Sequence, residues 1–308
     1  MANAIPLLEG TDASGGYLVR DSYGQTLTNT VQREAAVMSE SRVDRVAGKR
    51  QRYTVYAGRP TAAFVAEGAA KGVTGAEFAE ISVDVKKIAT TVLYTEELLE
   101  DAREDPRVLV NVDVEAAFRQ LIDAHSLGYE NGAAIVGQFN SELTNTTSTV
   151  ELGASADAFA LAISSAIATL EGNGAEGPYA AVCAVDLRQH LRDARLAGDQ
   201  AARPAYTEGF NREPDVLYGV RLHYTTNLDA FPAAAGKIGA VVGAYRDHAI
   251  FALRRDLSIR FSDQATVDVS GTLHHLWQQN KVAAQWEMRV GFVAHDLNRM
   301  FVAVTNAS

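Results

Sequence analysis

Near its end the chain carries the clearest β signal in the sequence. Val282, Ala284, Trp286, Met288, Val290 and Phe292 alternate with Lys281, Ala283, Gln285, Glu287, Arg289 and Gly291. A period of two marks a strand with one face in a core and the other outside it. Phe301 to Val304 closes the chain as a further short strand. Ala79, Ile81, Val83 and Val85 alternate with Glu80, Ser82, Asp84 and Lys86 in the same way, and Arg52–Tyr56 and Ala62–Ala66 read as partners of that strand. Between them lies Gly68-Ala-Ala-Lys-Gly-Val-Thr-Gly75, small and glycine-rich, so the segment predicts a long hairpin with a flexible tip. A two-stranded hairpin is marginal alone in water, which predicts that this one rests on another chain.

Glu96 to Tyr129 predicts one long helix, because Val114, Phe118, Leu121, Ile122, His125 and Tyr129 recur at spacings of three and four. Pro106 marks a start or a kink, with Asp105 as its cap. A second helix spans Asp157–Leu170, a strand Tyr179–Val185, and a third helix runs from an Asp186 cap to Leu196. Val216–Thr225 and Lys237–Gly243 read as strands, so 154–243 forms a compact α/β unit. Ala249–Phe261 is strand-rich with Asp256 at a turn. Residues 1–50 are polar and weakly periodic, with at most a short helix between Asp21 and Val43. Such an arm buries little by itself and lies along something else.

The net charge of −10 argues against a chain whose main task is gripping nucleic acid, since phosphate binding needs clustered Lys and Arg. It is compatible with lining a container for DNA. The single cysteine, Cys183, sits in an apolar run and reads as a buried, inert thiol. No apolar stretch approaches the roughly 20 residues of a membrane span. Met1–Gly16 lacks the basic start and apolar centre of a signal peptide, so the expected compartment is a cytoplasm.

Catalytic and cofactor motifs fail in context. Gly172-Asn-Gly-Ala-Glu-Gly177 fits G-x-G-x-x-G but follows a helix and precedes a strand, the reverse of phosphate cradling, and reads as a turn after a helix end. His274 and His275 are adjacent and point to opposite faces of a strand; His125 lies on an apolar stripe. Glu96, Glu97, Glu100 and Asp101 read as acidic residues favoured by the start of a long helix. Arg254-Arg255 and Arg188, Arg192 and Arg195 read as solvated or subunit-contact charges. No cofactor and no metal site is expected.

Three ordered blocks then resemble the major capsid proteins of tailed bacteriophages with the Hong Kong 97 type fold. The first is Ala63-Phe-Val-Ala-Glu-Gly-Ala-Ala-Lys71 running through Phe78 and Val83-Asp-Val-Lys-Lys-Ile-Ala-Thr90 to Thr95-Glu-Glu-Leu-Leu-Glu-Asp101. The second is Leu217-Tyr-Gly-Val-Arg-Leu222 through Asn227, Val242-Gly-Ala-Tyr245 and Ile259-Arg-Phe-Ser262; the third is Trp277–Phe292 ending near Phe301-Val-Ala-Val304. The resemblance implies an α+β chain with an N-terminal arm (1–50), an extended β-hairpin loop (51–91), a peripheral domain with a long spine helix (92–150 and 250–308) and an α/β axial domain (151–249). It implies pentamers and hexamers closing an icosahedral virion shell around double-stranded DNA, assembled in the bacterial host cytoplasm. A separate scaffolding protein (expected because the chain begins at Met1 with a short arm), a portal and a decoration protein are the implied partners.

Some members of that family weld neighbouring subunits with Lys–Asn isopeptide bonds assisted by a glutamate. Lys71, Asn280 and Glu287 match those three residue types. The chemistry needs a neutral amine, hence an apolar pocket, and a carboxylate to take up a proton. Seven residues along one strand put Asn280 and Glu287 on opposite faces, so the groups would come from different subunits. In other members the tip lysine makes a salt bridge instead. Two rival readings are an encapsulin-like compartment shell and a soluble α/β enzyme with a site within 157–243.

Overall fold

The computed structural model describes residues 30–58, 60–66, 70–102, 106–153, 158–193, 216–228, 237–269 and 271–306. After a helical stretch at 30–34, α1 (Ala36–Glu40) leads into β1 (Arg42–Arg45). Strands β2 (Arg50–Gly58) and β3 (Glu77–Asp84) form the hairpin, and β4 (Lys86–Thr95) follows at once. Helices α2 (Glu96–Asp101) and α3 (Pro106–Leu127) come next, then a small hairpin of β5 (Tyr129–Glu130) and β6 (Ala133–Ala134). The middle alternates β7 (Thr149–Leu152), α4 (Ala158–Gly172), β8 (Ala180–Ala184), α5 (Leu187–Asp193), β9 (Val216–Leu217), β10 (Val220–Thr225), β11 (Ile238–Gly243) and α6 (Tyr245–His248). The chain ends with β12 (Ala249–Ser262), a hairpin of β13 (Thr266–Val269) and β14 (Thr272–His275), β15 (Lys281–Ala294), α7 (Leu297–Met300) and β16 (Phe301–Asn306).

Two sheets organise these elements: β1-β12-β15-β4, and β7-β16-β11-β8-β10-β9. In the first, β15 is antiparallel to both neighbours, and its Ala284, Trp286, Met288, Val290 and Phe292 are buried as the alternation predicts. Trp286 Nε1 donates to Asn111 Oδ1 of α3 at 3.1 Å, which satisfies the indole polar atom in the core and ties the spine helix to the sheet. Asp256 lies within β12, not at a turn; the ladder to β15 is irregular between Leu253 and Ser258, and the strand continues through the bulge. In the second sheet β8 is buried along its whole length, including Cys183, whose thiol burial pushes far up. Helix α4 packs on this sheet against β7, β16 and β11 and buries Phe159, Ile163, Ala166 and Leu170. The β9–β10 turn places Tyr218 and Gly219 both at positive φ, the geometry of a tight two-residue hairpin. At Gly172–Gly177 the amide of Ala175 donates to the Leu170 carbonyl and Gly174 is left-handed, so the glycines end a helix.

Several expectations need correction. Ala62–Ala66 is not a strand: 60–66 and 70–76 have no regular structure and are exposed. The helix expected over Glu96–Tyr129 is two helices; Pro106 starts the second, and Asp105 lies outside the described residues. Thr95 caps α2, with Glu96 and Glu97 in its first turn, but Glu100 and Asp101 fall in its last turn, where the dipole does not favour them. The last strand, β16, joins the six-stranded sheet between β7 and β11 rather than residues 250–294. Residues 86–91, read as part of the hairpin, pair with β15 along the four-stranded sheet.

The arm also departs from expectation. Val31, Ala35, Ala36, Val37 and Met38 are buried in the main core, and β1 is the edge strand beside β12. A buried carboxylate on the spine helix holds this segment. Asp123 accepts from the amides of Ala36 at 2.9 Å and Val37 at 3.0 Å. Burial pushes its carboxyl up to about 6, against those two hydrogen bonds and the charge of Arg119, which pull it down.

A carboxyl raised in the fold contributes fully below its unfolded value near 4, and that contribution is lost as pH climbs through 6. Two units amount to about 3 kcal/mol. Asp123→Ala leaves two buried amides unpaired, at about 1–3 kcal/mol each. The variant should therefore melt below the wild type, with the gap widest near pH 4 and narrowing towards pH 7 in thermal unfolding. A gap that widens with pH would contradict the assignment.

Candidate functional site

The hairpin is anchored on the outward face of β15. Val83 and Val85 pack with Ile250, Ala252 and Val293, and a Cβ at Gly291 would lie 2.6 Å from the Asp84 carbonyl oxygen. Only glycine allows this approach. Arg50 Nε donates to Asp84 Oδ1 at 2.6 Å, and Asn140 Oδ1 accepts from the Asp84 amide at 2.8 Å. The hairpin base therefore rests on its own subunit, contrary to the expectation that the whole hairpin leans on another chain. Beyond the hairpin strands, residues 60–66 and 70–76 are exposed, and Phe64, Val65 and Val73 stand in solvent. Leu109 and Val112 on the spine helix, Leu273 in β14 and Trp277 just after it are exposed as well.

The three candidate crosslink residues occupy three separate places. Lys71 is exposed in the loop. Asn280 follows a short 3-10 turn (Trp277–Gln279) in left-handed backbone, φ +48°, and its carbonyl accepts from the Glu96 amide at 2.8 Å. Asparagine is one of the few non-glycine residues at ease there, so its identity has a local reason that the sequence did not reveal. Glu287 stands on the outward face of β15, about 23 Å along the strand from Asn280. It accepts from Arg289 Nε at 3.0 Å and lies 3.5 Å from Arg255. Burial pushes its carboxyl up, but the Arg289 hydrogen bond and the charges of Arg289, Arg255 and Lys87 prevail and hold it below the usual range. Within one chain the trio is not assembled, and Glu287 is a paired anion, not a free base.

Other singled-out residues find structural roles. His125 sits edge-on to Phe139 at 6.4 Å in the interior. His274 Nδ1 contacts Gln279 Oε1 at 2.9 Å and His275 Nδ1 contacts Thr266 Oγ1 at 3.0 Å, on opposite sides of β14. Arg188 stacks 4.2 Å over the Tyr224 ring. Arg255, expected as a solvated or subunit-contact charge, is engaged within the chain; the Arg192 side chain and Arg195 lie outside the described residues.

The phage capsid family model matches residues 15–302. The chain belongs to the phage capsid family. It is a structural protein of an icosahedral virion capsid, with the Hong Kong 97 type fold. Solved structures share the capsid protein's fold at low identity. A Microbacterium phage Oxtober96 chain is 20% identical with a TM-score of 0.69, covering 89% of this chain and 91% of its own. A Mycobacterium phage Adephagia chain is 17% identical at 0.70, covering 98% and 99%. The capsid of a native GTA particle is 16% identical at 0.64, covering 89% and 91%. No match to a curated protein sequence accompanies these.

The left-handed turn at Asn280 makes a direct prediction for the capsid protein. Asn280→Gly should leave the melting temperature within a degree or so, while Asn280→Ala should cost about 1 kcal/mol or more through backbone strain. Equal losses in thermal unfolding would show that the side chain, not the backbone, decides this position.

Proposed function

We propose that this capsid protein assembles as pentamers and hexamers into an icosahedral shell around double-stranded DNA, with the extended loop seated on a neighbouring subunit. The observation that carries this reading is a set of exposed apolar side chains on the loop of a hairpin whose base is fixed. Phe64, Val65 and Val73 stand in solvent while Gly291, Asp84 and Asn140 lock the root of the same hairpin. Exposed apolar groups gathered on one loop mark an interaction surface. The net charge of −10 suits a wall that encloses DNA without binding its sequence. We take the arm, extended loop, peripheral and axial parts as the assembly units, with separate scaffolding, portal and decoration proteins as partners in the host cytoplasm.

Phe64→Ser combined with Val73→Ser should leave the circular dichroism of the subunit unchanged and cut shell yield at least about tenfold, as judged by light scattering and negative-stain microscopy. Shells forming at wild-type yield would refute the loop's role. Packaged protein in place of DNA would favour a compartment shell.

The candidate weld joins Lys71 Nζ to Asn280 Cγ of a neighbour. The neutral amine attacks the carboxamide carbon; Glu287 of a third subunit, once its pairing with Arg255 and Arg289 opens, takes a proton from the attacking nitrogen and passes it to the leaving nitrogen, which departs as ammonia. Boiled wild-type particles should then show a ladder of covalent multimers on a denaturing gel. Lys71→Ala and Asn280→Gly should each collapse it to single chains of about 33 kDa. Wild-type particles that already run as single chains would leave shell strength to non-covalent packing.

A further inference from the structure

Of the chain connections between the two sheets, two are short. The first runs from β11 through α6 into β12, the second from β15 through α7 into β16. Ala249 and Ala294 are the end partners of the β12–β15 ladder. One residue beyond, the His295 amide donates to the His248 carbonyl at 3.0 Å. The two imidazoles therefore stand side by side, with ring centroids 4.3 Å apart, and Asp296 adds a carboxylate. His248 Nδ1 lies 3.1 Å from His295 Nδ1 and 3.9 Å from Asp296 Oδ2, and His295 Nδ1 lies 3.4 Å from that oxygen.

We propose that His248, His295 and Asp296 form a binding site for a divalent transition-metal ion of the zinc class, placed on both crossings at once. A tetrahedral zinc site with bonds of 2.0–2.1 Å has ligand–ligand edges of about 3.3 Å. The three separations here reach that geometry with shifts of roughly half an ångström at most. The tautomer is also prepared. His295 Nε2 lies 3.1 Å from the Asp247 carbonyl oxygen, which can only accept, so Nε2 carries the proton and Nδ1 of the neutral ring keeps its lone pair. An acceptor behind the ring is how outer-shell groups orient histidine ligands. Two ring nitrogens 3.1 Å apart repel unless a proton or a cation lies between them. Asp247 and Asp296 outweigh Arg299, whose Nη2 donates to the Asn173 carbonyl at 2.8 Å. Asp296 is exposed, so a fourth position is open to water. A bound ion would cross-brace the two connections and stiffen the joint between the sheets.

The test uses the full chain, stripped with chelator and titrated with zinc chloride by calorimetry, with thermal unfolding in parallel. One zinc should bind per chain and raise the melting temperature by several degrees. Asp296→Asn, tolerated by the left-handed backbone there (φ +52°), should leave the metal-free melting temperature unchanged and weaken binding at least about tenfold. His248→Gln should abolish the zinc-dependent shift, and cobalt in place of zinc should give a tetrahedral visible spectrum that this variant loses. No stoichiometric binding at micromolar zinc would overturn the proposal. So would binding that survives both variants unchanged, whatever their effect on folding.

Discussion

Strand β15 has both faces and both edges occupied, and the other parts take their positions from it. Its inward face carries Trp286 under the spine helix and Phe292 against Phe251, ring centroids 4.6 Å apart, with Phe139 edge-on to both. Its outward face is crossed at Gly291 by the hairpin base. Its edges are taken by β12 and β4. A slip of one residue would turn Trp286 outward and Glu287 inward, so the register is strongly specified. The loop between β2 and β3 is therefore carried on a rigid base, which is what a contact reaching to a neighbour needs.

The segment around α1 is fastened from the opposite side. Met38 and its apolar neighbours fill core space, but two amides at the start of α1 would be orphaned without Asp123. A buried carboxyl whose pKa stands near 6 makes that attachment responsive to pH in the mildly acidic range. The two sheets meet through a continuous core and through two short crossings, with β16 returning at the end to pair with β7 and β11. The antiparallel pairing of β12 with β15 is why residues distant in sequence, such as His248 and His295, come to share one small space.

Much of the fold was legible because it rests on local periodicity. The alternation of 282–292, the stripe of Val114, Phe118 and Ile122, and the apolar run of β8 each follow from a face that must be buried. What escaped depended on distance. Nothing local distinguishes Asp123 from a surface aspartate, or Gly291 from a strand glycine without purpose; their roles exist only once α1 and Asp84 arrive. Ala62–Ala66 reads as a strand, yet among the described residues it pairs with no other strand. The trio Lys71, Asn280 and Glu287 was visible as residue types alone. Asn280 proved to have a backbone reason and Glu287 two arginine partners, neither of which spacing reveals.

The central claim is that a subunit with a fixed hairpin root places its exposed loop on a neighbour to build a closed shell. Cryo-electron microscopy of purified particles tests it most directly. The account predicts icosahedral shells in which Phe64, Val65 and Val73 are buried against an adjacent subunit. Closed shells with those residues still in solvent, or a protein that stays monomeric at high concentration, would contradict it.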